Sequence, residues 1–168
     1  AIEKLRQVRN PVVFDVYGPA EDATYWAACQ QAAKGLPPHV QFNYRGALYP
    51  AQVPETLAGY DLFYLPTLGE NFGHVIAEAL GCGLPVLISD QTPWRDLADK
   101  GLGWDLPLAD APAFAARIDE CSRLPAADYD AWRQRIRAWA LAHIGNDEAV
   151  GQDRQRFINL GAAWTLHF

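Results

Sequence analysis

Glu70 and Glu78 flank a loop that runs into an amphipathic segment, in the stretch Pro66-Thr67-Leu68-Gly69-Glu70-Asn71-Phe72-Gly73-His74-Val75-Ile76-Ala77-Glu78-Ala79-Leu80. Gly69 and Gly73 let the backbone approach a ligand closely. From Gly73 to Leu80 the pattern predicts a helix whose buried stripe is Val75, Ile76, Ala79 and Leu80. The unpaired N–H groups at the start of such a helix point back into the loop and form a ready phosphate site. His74 and Glu78 share the other face, and helical side chains lean toward the N-terminus, so Glu78 is aimed at the crevice that Glu70 lines. An ionised carboxylate accepts hydrogen bonds from neighbouring hydroxyls at both oxygens. A carboxylate pair beside a phosphate site therefore suits a nucleotide sugar. Plainer roles fit the same spacing: Glu78 paired with His74 on a solvated face, and Glu70 as a loop acid capping the helix. Carboxylate pairs also hydrolyse glycosides, but no segment here indicates a cleft for a sugar polymer.

The elements that must position this loop alternate along the chain. Residues 1–9 carry Ile2, Leu5 and Val8 at helical spacing, and Asn10-Pro11 stops them. Val12–Tyr17 reads as a strand closed by Gly18-Pro19. Asp22 then reads as the N-cap of a helix through Lys34, ended by Gly35 and Pro37. Val40–Tyr44 alternates at the strand period up to Arg45-Gly46, and Pro54 opens a short helix to Ala58. Leu62–Pro66 and Pro85–Ser89 are apolar strands around the Gly73–Leu80 helix. Pro93–Asp99 is predicted as a helix, Gly103–Leu106 as a last short strand, and the remainder from Asp110 as helical to near the end.

Strands alternating with helices predict a single α/β domain with a Rossmann-like parallel sheet and helices on both faces, about 1–109 as the core and about 110–168 as C-terminal helices. Near-continuous apolar strands agree with a sheet covered on both sides. Ligands in such sheets sit beyond the carboxyl ends of the strands, here the loops Gly18–Asp22, Arg45–Val53, Thr67–Gly73 and Asp90–Pro93.

A length of 168 residues is one domain's worth, enough to bury a sizeable core without staples. With 50% hydrophobic and 20% charged residues the chain is neither disordered nor fibrous. A net charge of −6 weighs against nucleic-acid binding, which draws on Lys and Arg. Cys29, Cys82 and Cys121 are odd in number and widely spaced, without metal-ligand spacing, so they read as reduced core thiols of a cytoplasmic chain. No apolar run reaches the ~20 residues of a membrane span. The absence of Met reads as the mark of a fragment.

With Phe72-Gly73 between them and Ala79-Leu80-Gly81-Cys82-Gly83-Leu84-Pro85-Val86 after them, Glu70 and Glu78 resemble the donor-site motif of retaining GT-B glycosyltransferases, the group 1 or family 4 class. Val16-Tyr17-Gly18-Pro19 is similar to that family's second strand and turn, and Phe42-Asn43-Tyr44-Arg45-Gly46 to the strand leading to its base site. The resemblance covers about residues 1 to 120, in order. It implies the C-terminal, donor-binding domain of an enzyme that moves a sugar from a nucleoside diphosphate sugar to an acceptor hydroxyl, in polysaccharide or glycoconjugate biosynthesis. By the same resemblance Glu70, the catalytic candidate, holds donor-sugar hydroxyls, and Glu78 holds the ribose. The N–H groups of Asn71, Phe72 and Gly73 approach the sugar and diphosphate, and Arg45 and Gly46 lie near the base. Gly18 and Thr67 complete the donor-binding set. Neither a cofactor nor an obligatory metal is expected.

Asn71 stands where the family often has Gly, and His74 where it has an apolar residue. Gln91-Thr92-Pro93-Trp94-Arg95 replaces the usual Gly-Gly-x-Pro-Glu, so no contact is carried over to that turn. The family's diphosphate-binding Arg and Lys would precede Ala1, as would its N-terminal acceptor domain, so the chain alone is expected to be inactive. The rival readings are a non-catalytic α/β binding or scaffold domain with a structural Glu pair, and a nicotinamide-dependent epimerase. Gly81-Cys82-Gly83 and Gly101-Leu102-Gly103 lack the further glycine of a dinucleotide fingerprint. Tyr129, Trp132, Ile136 and Trp139 form a helical stripe beside Arg133, Arg135 and Arg137. The stripe reads as core-facing, with a membrane-surface helix of the full-length protein as the alternative. Trp164–Phe168 is an apolar tail that packs on a missing domain or docks within this one. Base, sugar and acceptor are not readable.

Overall fold

The central strands ask for cover on both sides: Leu62–Leu65 (β3) and Val86–Ser89 (β4) are buried at every position, as strands of a doubly covered sheet must be. The computed structural model describes residues 2–20, 22–144 and 163–167. After a 3-10 segment, Ile2–Gln7, come Val12–Tyr17 (β1), Ala23–Ala33 (α1), Val40–Gly46 (β2) and Val53–Ala58 (α2). β3 leads to His74–Gly81 (α3), then β4, Gly103–Leu106 (β5), Ala111–Cys121 (α4), Ala126–His143 (α5) and Ala163–His167 (β6).

The six strands lie in the order β2-β1-β6-β3-β4-β5. β1 and β2 are parallel, as are β3, β4 and β5. The chain winds outward in one direction from β1 and in the other from β3. The segment Ile2–Gln7 touches α1 and α4, whereas α3 packs on α2 and α5. Right-handed crossovers in opposite directions sort the helices in this way onto the two faces. Phe14, Tyr64 and Phe114 form one run of edge-on aromatic contacts in the core, and Ile76, Leu80 and Ile136 are buried from the helices.

Several predicted boundaries hold to within a residue or two. Asp22 caps α1 by accepting from the Tyr25 N–H at 2.9 Å, and β2 runs on to Gly46. Two expectations are corrected. Pro93–Asp99 forms bends and turns rather than a helix. The Asp105 carboxylate accepts from the N–H groups of Asp96 and Leu97, and Asp96 sits at φ 57°, so a side chain satisfies the amides that a helix would use. The region from Asp110 is not helical throughout: residues 163–167 form β6, antiparallel to both β1 and β3. Without β6 the inner edges of β1 and β3 would leave rows of buried backbone groups unpaired, which a fold does not tolerate. The described part of the apolar tail, up to His167, thus docks within this domain, with Leu166 buried. The α5 stripe faces inward, with Ile136 fully buried, the Tyr129 hydroxyl donating to the Asp61 carbonyl and the Trp132 indole to that of Gly101. Among the described residues no helix is long and apolar enough to cross a membrane.

Candidate functional site

The winding direction reverses between β1 and β3, and ligands of open α/β sheets sit beyond the carboxyl ends of the strands at such a switch point. Its two walls are the turn after β1 and the loop after β3. With β6 between those strands the walls stand two strand spacings apart, about 10 Å.

The β3 wall is the loop from Thr67 to Gly73. Thr67 closes its first turn: the hydroxyl donates to the Gly69 carbonyl at 2.8 Å and accepts from the Gly69 N–H at 3.2 Å. Glu70 is half-buried, and its Oε1 accepts from the N–H groups of Phe72 at 3.3 Å and Gly73 at 3.2 Å. Gly73 is the N-cap of α3 at φ 70°, ψ 42°, a left-handed conformation that disfavours any residue with a Cβ. α3 then presents Ile76, Ala79 and Leu80 to the core and leaves Glu78 half-buried on its other side. Asn71 is exposed. Phe72 is exposed as well and stacks on His74 with ring centroids 5.8 Å apart.

The opposite wall joins three further predicted residues. The Gly18 N–H donates to the Gly46 carbonyl at 2.9 Å, and the Tyr44 hydroxyl donates to the Gly18 carbonyl at 2.7 Å. Arg45 is the extra residue of a bulge, because Val16 pairs with Tyr44 while Tyr17 pairs with Gly46. Its Nε donates to Asp15 at 2.8 Å while about half of its side chain stays exposed. Asp15 is 4% exposed and also accepts from Asn43 Nδ2 at 2.7 Å and the Tyr60 hydroxyl at 2.6 Å. Tyr60 spends its proton on Asp15, so the 2.7 Å contact between the Tyr17 and Tyr60 hydroxyls has Tyr17 as donor. Burial pushes the Asp15 carboxyl up, but the hydrogen bonds from Tyr60, Asn43 and Arg45 and the Arg45 charge outweigh it and leave it below its ordinary value. The Arg45 guanidinium is raised in turn, first by its bond to Asp15.

The predicted residues therefore fall into two groups at one end of the sheet. Thr67, Glu70, Asn71, Phe72, Gly73 and Glu78 line one wall, and Gly18, Arg45 and Gly46 the other. Phe72 and Gly73 do not present open N–H groups, since Glu70 already occupies both. The Asp15 network escaped sequence reasoning, although a carboxylate inside the apolar run Val12–Tyr17 was its visible signal. Among the described residues no three His, Cys, Asp or Glu side chains are grouped to hold a metal ion.

A family model described as "Glycosyl transferases group 1" matches residues 1–123. The chain is 28% identical over 137 residues to O-antigen chain mannosyltransferase B of Escherichia coli, covering 81% of this chain and 33% of that protein. It is 34% identical over 85 residues to phosphatidyl-myo-inositol mannosyltransferase of Mycobacterium leprae, covering 49% of this chain and 22% of that one. The chain thus spans a third or less of the curated relatives it matches. Among solved structures it is similar in fold to Alr3699/HepE of Anabaena in complex with UDP-glucose, with a TM-score of 0.69 at 22% identity, over 92% of this chain and 43% of that one. WaaG, a glycosyltransferase involved in lipopolysaccharide biosynthesis, gives 0.64 at 19% identity, over 95% and 42%.

Proposed function

The chain belongs to the group 1 glycosyltransferases, and from that premise we propose that it is the donor-binding part of an enzyme that transfers a sugar from a nucleoside diphosphate sugar to an acceptor hydroxyl, with retention at the anomeric carbon. The observation that carries the reading is the grouping of these residues in two walls at the switch point. One wall offers two carboxylates and the start of α3, which suit hydroxyls and phosphate. The other offers the backbone of Gly18 and Gly46 with an oriented Arg45. A ligand serving both walls has to be long, anionic in the middle and rich in hydroxyls. A nucleoside diphosphate sugar has that layout, and HepE was solved with one.

In this reading the base lies against Gly18, Arg45 and Gly46, and the diphosphate lies at the start of α3. Glu78 holds the ribose hydroxyls. Glu70 keeps Oε1 on the two backbone N–H groups and offers its second oxygen to the donor sugar, a carboxylate held still before the substrate arrives. Negative charge growing on the leaving diphosphate has to be offset. The proposal assigns that task to the start of α3 and to basic residues outside this chain, with no obligatory metal. The acceptor is held by a further domain of the same polypeptide, in the cytoplasm. Alone, the chain binds donor without turnover.

The Glu70 cap favours a second reading, a scaffold domain whose glutamates are structural. Titration with UDP-, GDP- and ADP-sugars, followed by tryptophan fluorescence with and without EDTA, separates the two. The donor reading expects a saturable change with one sugar nucleotide, indifferent to EDTA. Glu78→Ala should weaken it by about 12- to 150-fold, for a lost hydrogen bond to a charged group worth about 1.5–3 kcal/mol. No saturation with any of them, here or in a chain extended upstream, leaves the scaffold reading.

A further inference from the structure

The segment Ser89–Trp94 lies along the Thr67–Gly73 loop and holds it at three points. The Ser89 hydroxyl donates to the Thr67 carbonyl at 2.6 Å. The Glu70 N–H donates to the Gln91 carbonyl at 3.1 Å. The Trp94 indole N–H donates to the Phe72 carbonyl, also at 3.1 Å. Trp94 is itself anchored, its backbone N–H donating to the Thr92 hydroxyl at 3.2 Å, and Thr92 is 4% exposed. Its ring also fills the space beside Gly73. A Cβ at that glycine would stand 2.6 Å from Trp94 Nε1 and 2.9 Å from Cδ1, so the two are in close contact.

The Phe72 carbonyl and the Gly73 N–H belong to one planar trans peptide and point in opposite directions. Trp94 holds the carbonyl end of that plane. The N–H end donates to Glu70 Oε1. We infer that Trp94 is a positioning residue of the donor site: through the Phe72–Gly73 peptide it sets the orientation of the Glu70 carboxylate, and so the grip on the donor's sugar rather than on its nucleotide. This rests on the donor reading of Glu70.

Trp94→Phe keeps a six-membered aromatic ring and removes the N–H donor that reaches Phe72 together with the pyrrole part of the indole that packs beside Gly73. On the intact chain, calorimetry with the nucleoside diphosphate sugar that binds and with its sugar-free nucleoside diphosphate should split. Affinity for the sugar nucleotide should fall about three- to tenfold, as for one neutral hydrogen bond, while that for the nucleoside diphosphate changes by less than about twofold. In a Glu70→Gln background Trp94→Phe should add less than about twofold, because both changes act on one carboxylate. Independently of any ligand, hydrogen exchange at the Gly73 amide should quicken in Trp94→Phe. If Trp94→Phe does not fold, Trp94→Met, a long apolar side chain that also lacks the donor, takes its place with the same expectations. Equal loss for both ligands, full additivity with Glu70→Gln, or unchanged exchange at Gly73 overturns the role of Trp94 and leaves the donor reading standing. Failure of both the unaltered chain and a chain extended upstream to bind any sugar nucleotide overturns the donor reading itself, and this inference with it.

Discussion

Replacing Asp15 with Asn changes one atom in the network behind Arg45, and the structure sets its cost. The wild-type carboxylate accepts from three side-chain donors at 2.6, 2.7 and 2.8 Å. An Asn side chain has one acceptor oxygen, and its NH2 must face at least one of those donors. At least one hydrogen bond to a charged group is therefore lost, worth about 1.5–3 kcal/mol. For a chain of this size that lowers the melting temperature by about 3–12 °C at neutral pH. The folded-state pKa of Asp15 lies below that of the unfolded chain, near 3.9. Its ionisation therefore stabilises the fold fully above that value, and the contribution is lost as pH falls through the lower, folded value. Thermal melts of wild type and Asp15→Asn, followed by circular dichroism across that range, should show a gap that closes in acid. A gap under about 1 °C at neutral pH, or one that stays constant into acid, would refute the reasoning.

Gly73→Ala should cost more than the about 1–2 kcal/mol of a left-handed alanine, because the new methyl meets the Trp94 indole and Ile76. Gly81→Ala, where a Cβ meets nothing within 4 Å, should be neutral or stabilising in the same thermal melts. Cys121 is buried and its thiol is pushed up to about 12, first by that burial, so it should resist alkylation in the native state. Partly exposed Cys82 should react first, read by mass spectrometry of digested protein; Cys121 labelling ahead of it would count against the packing described.

The parts of the fold legible in the sequence were those that local chemistry decides. Val12–Tyr17, Leu62–Leu65 and Val86–Ser89 are apolar runs between Gly, Pro and polar residues, and Asp22 is a capping residue in a capping position. What stayed hidden depends on partners distant in sequence. Ala163–His167 becomes a strand because β1 and β3 each offer it an edge. Pro93–Asp99 turns instead of coiling because Asp105 takes its amides. At the site, Glu70 and Glu78 could be named from spacing, whereas the Trp94 bond to Phe72 spans 22 positions and the Tyr60 bond to Asp15 spans 45. Spacing also gave Glu70 two roles, capping and sugar binding, and in the structure the cap engages one carboxylate oxygen, Oε1.

The central claim is that one ligand lies across both walls of the switch-point crevice, and a crystal structure with a bound nucleoside diphosphate sugar tests it most directly. The base is expected against Gly18, Arg45 and Gly46, the diphosphate at the start of α3, and the sugar on Glu70. A nucleotide seated elsewhere would contradict it, for instance in the cavity of about 250 Å³ lined by Trp104, Glu120, Leu124, Asp128, Trp132 and Arg135.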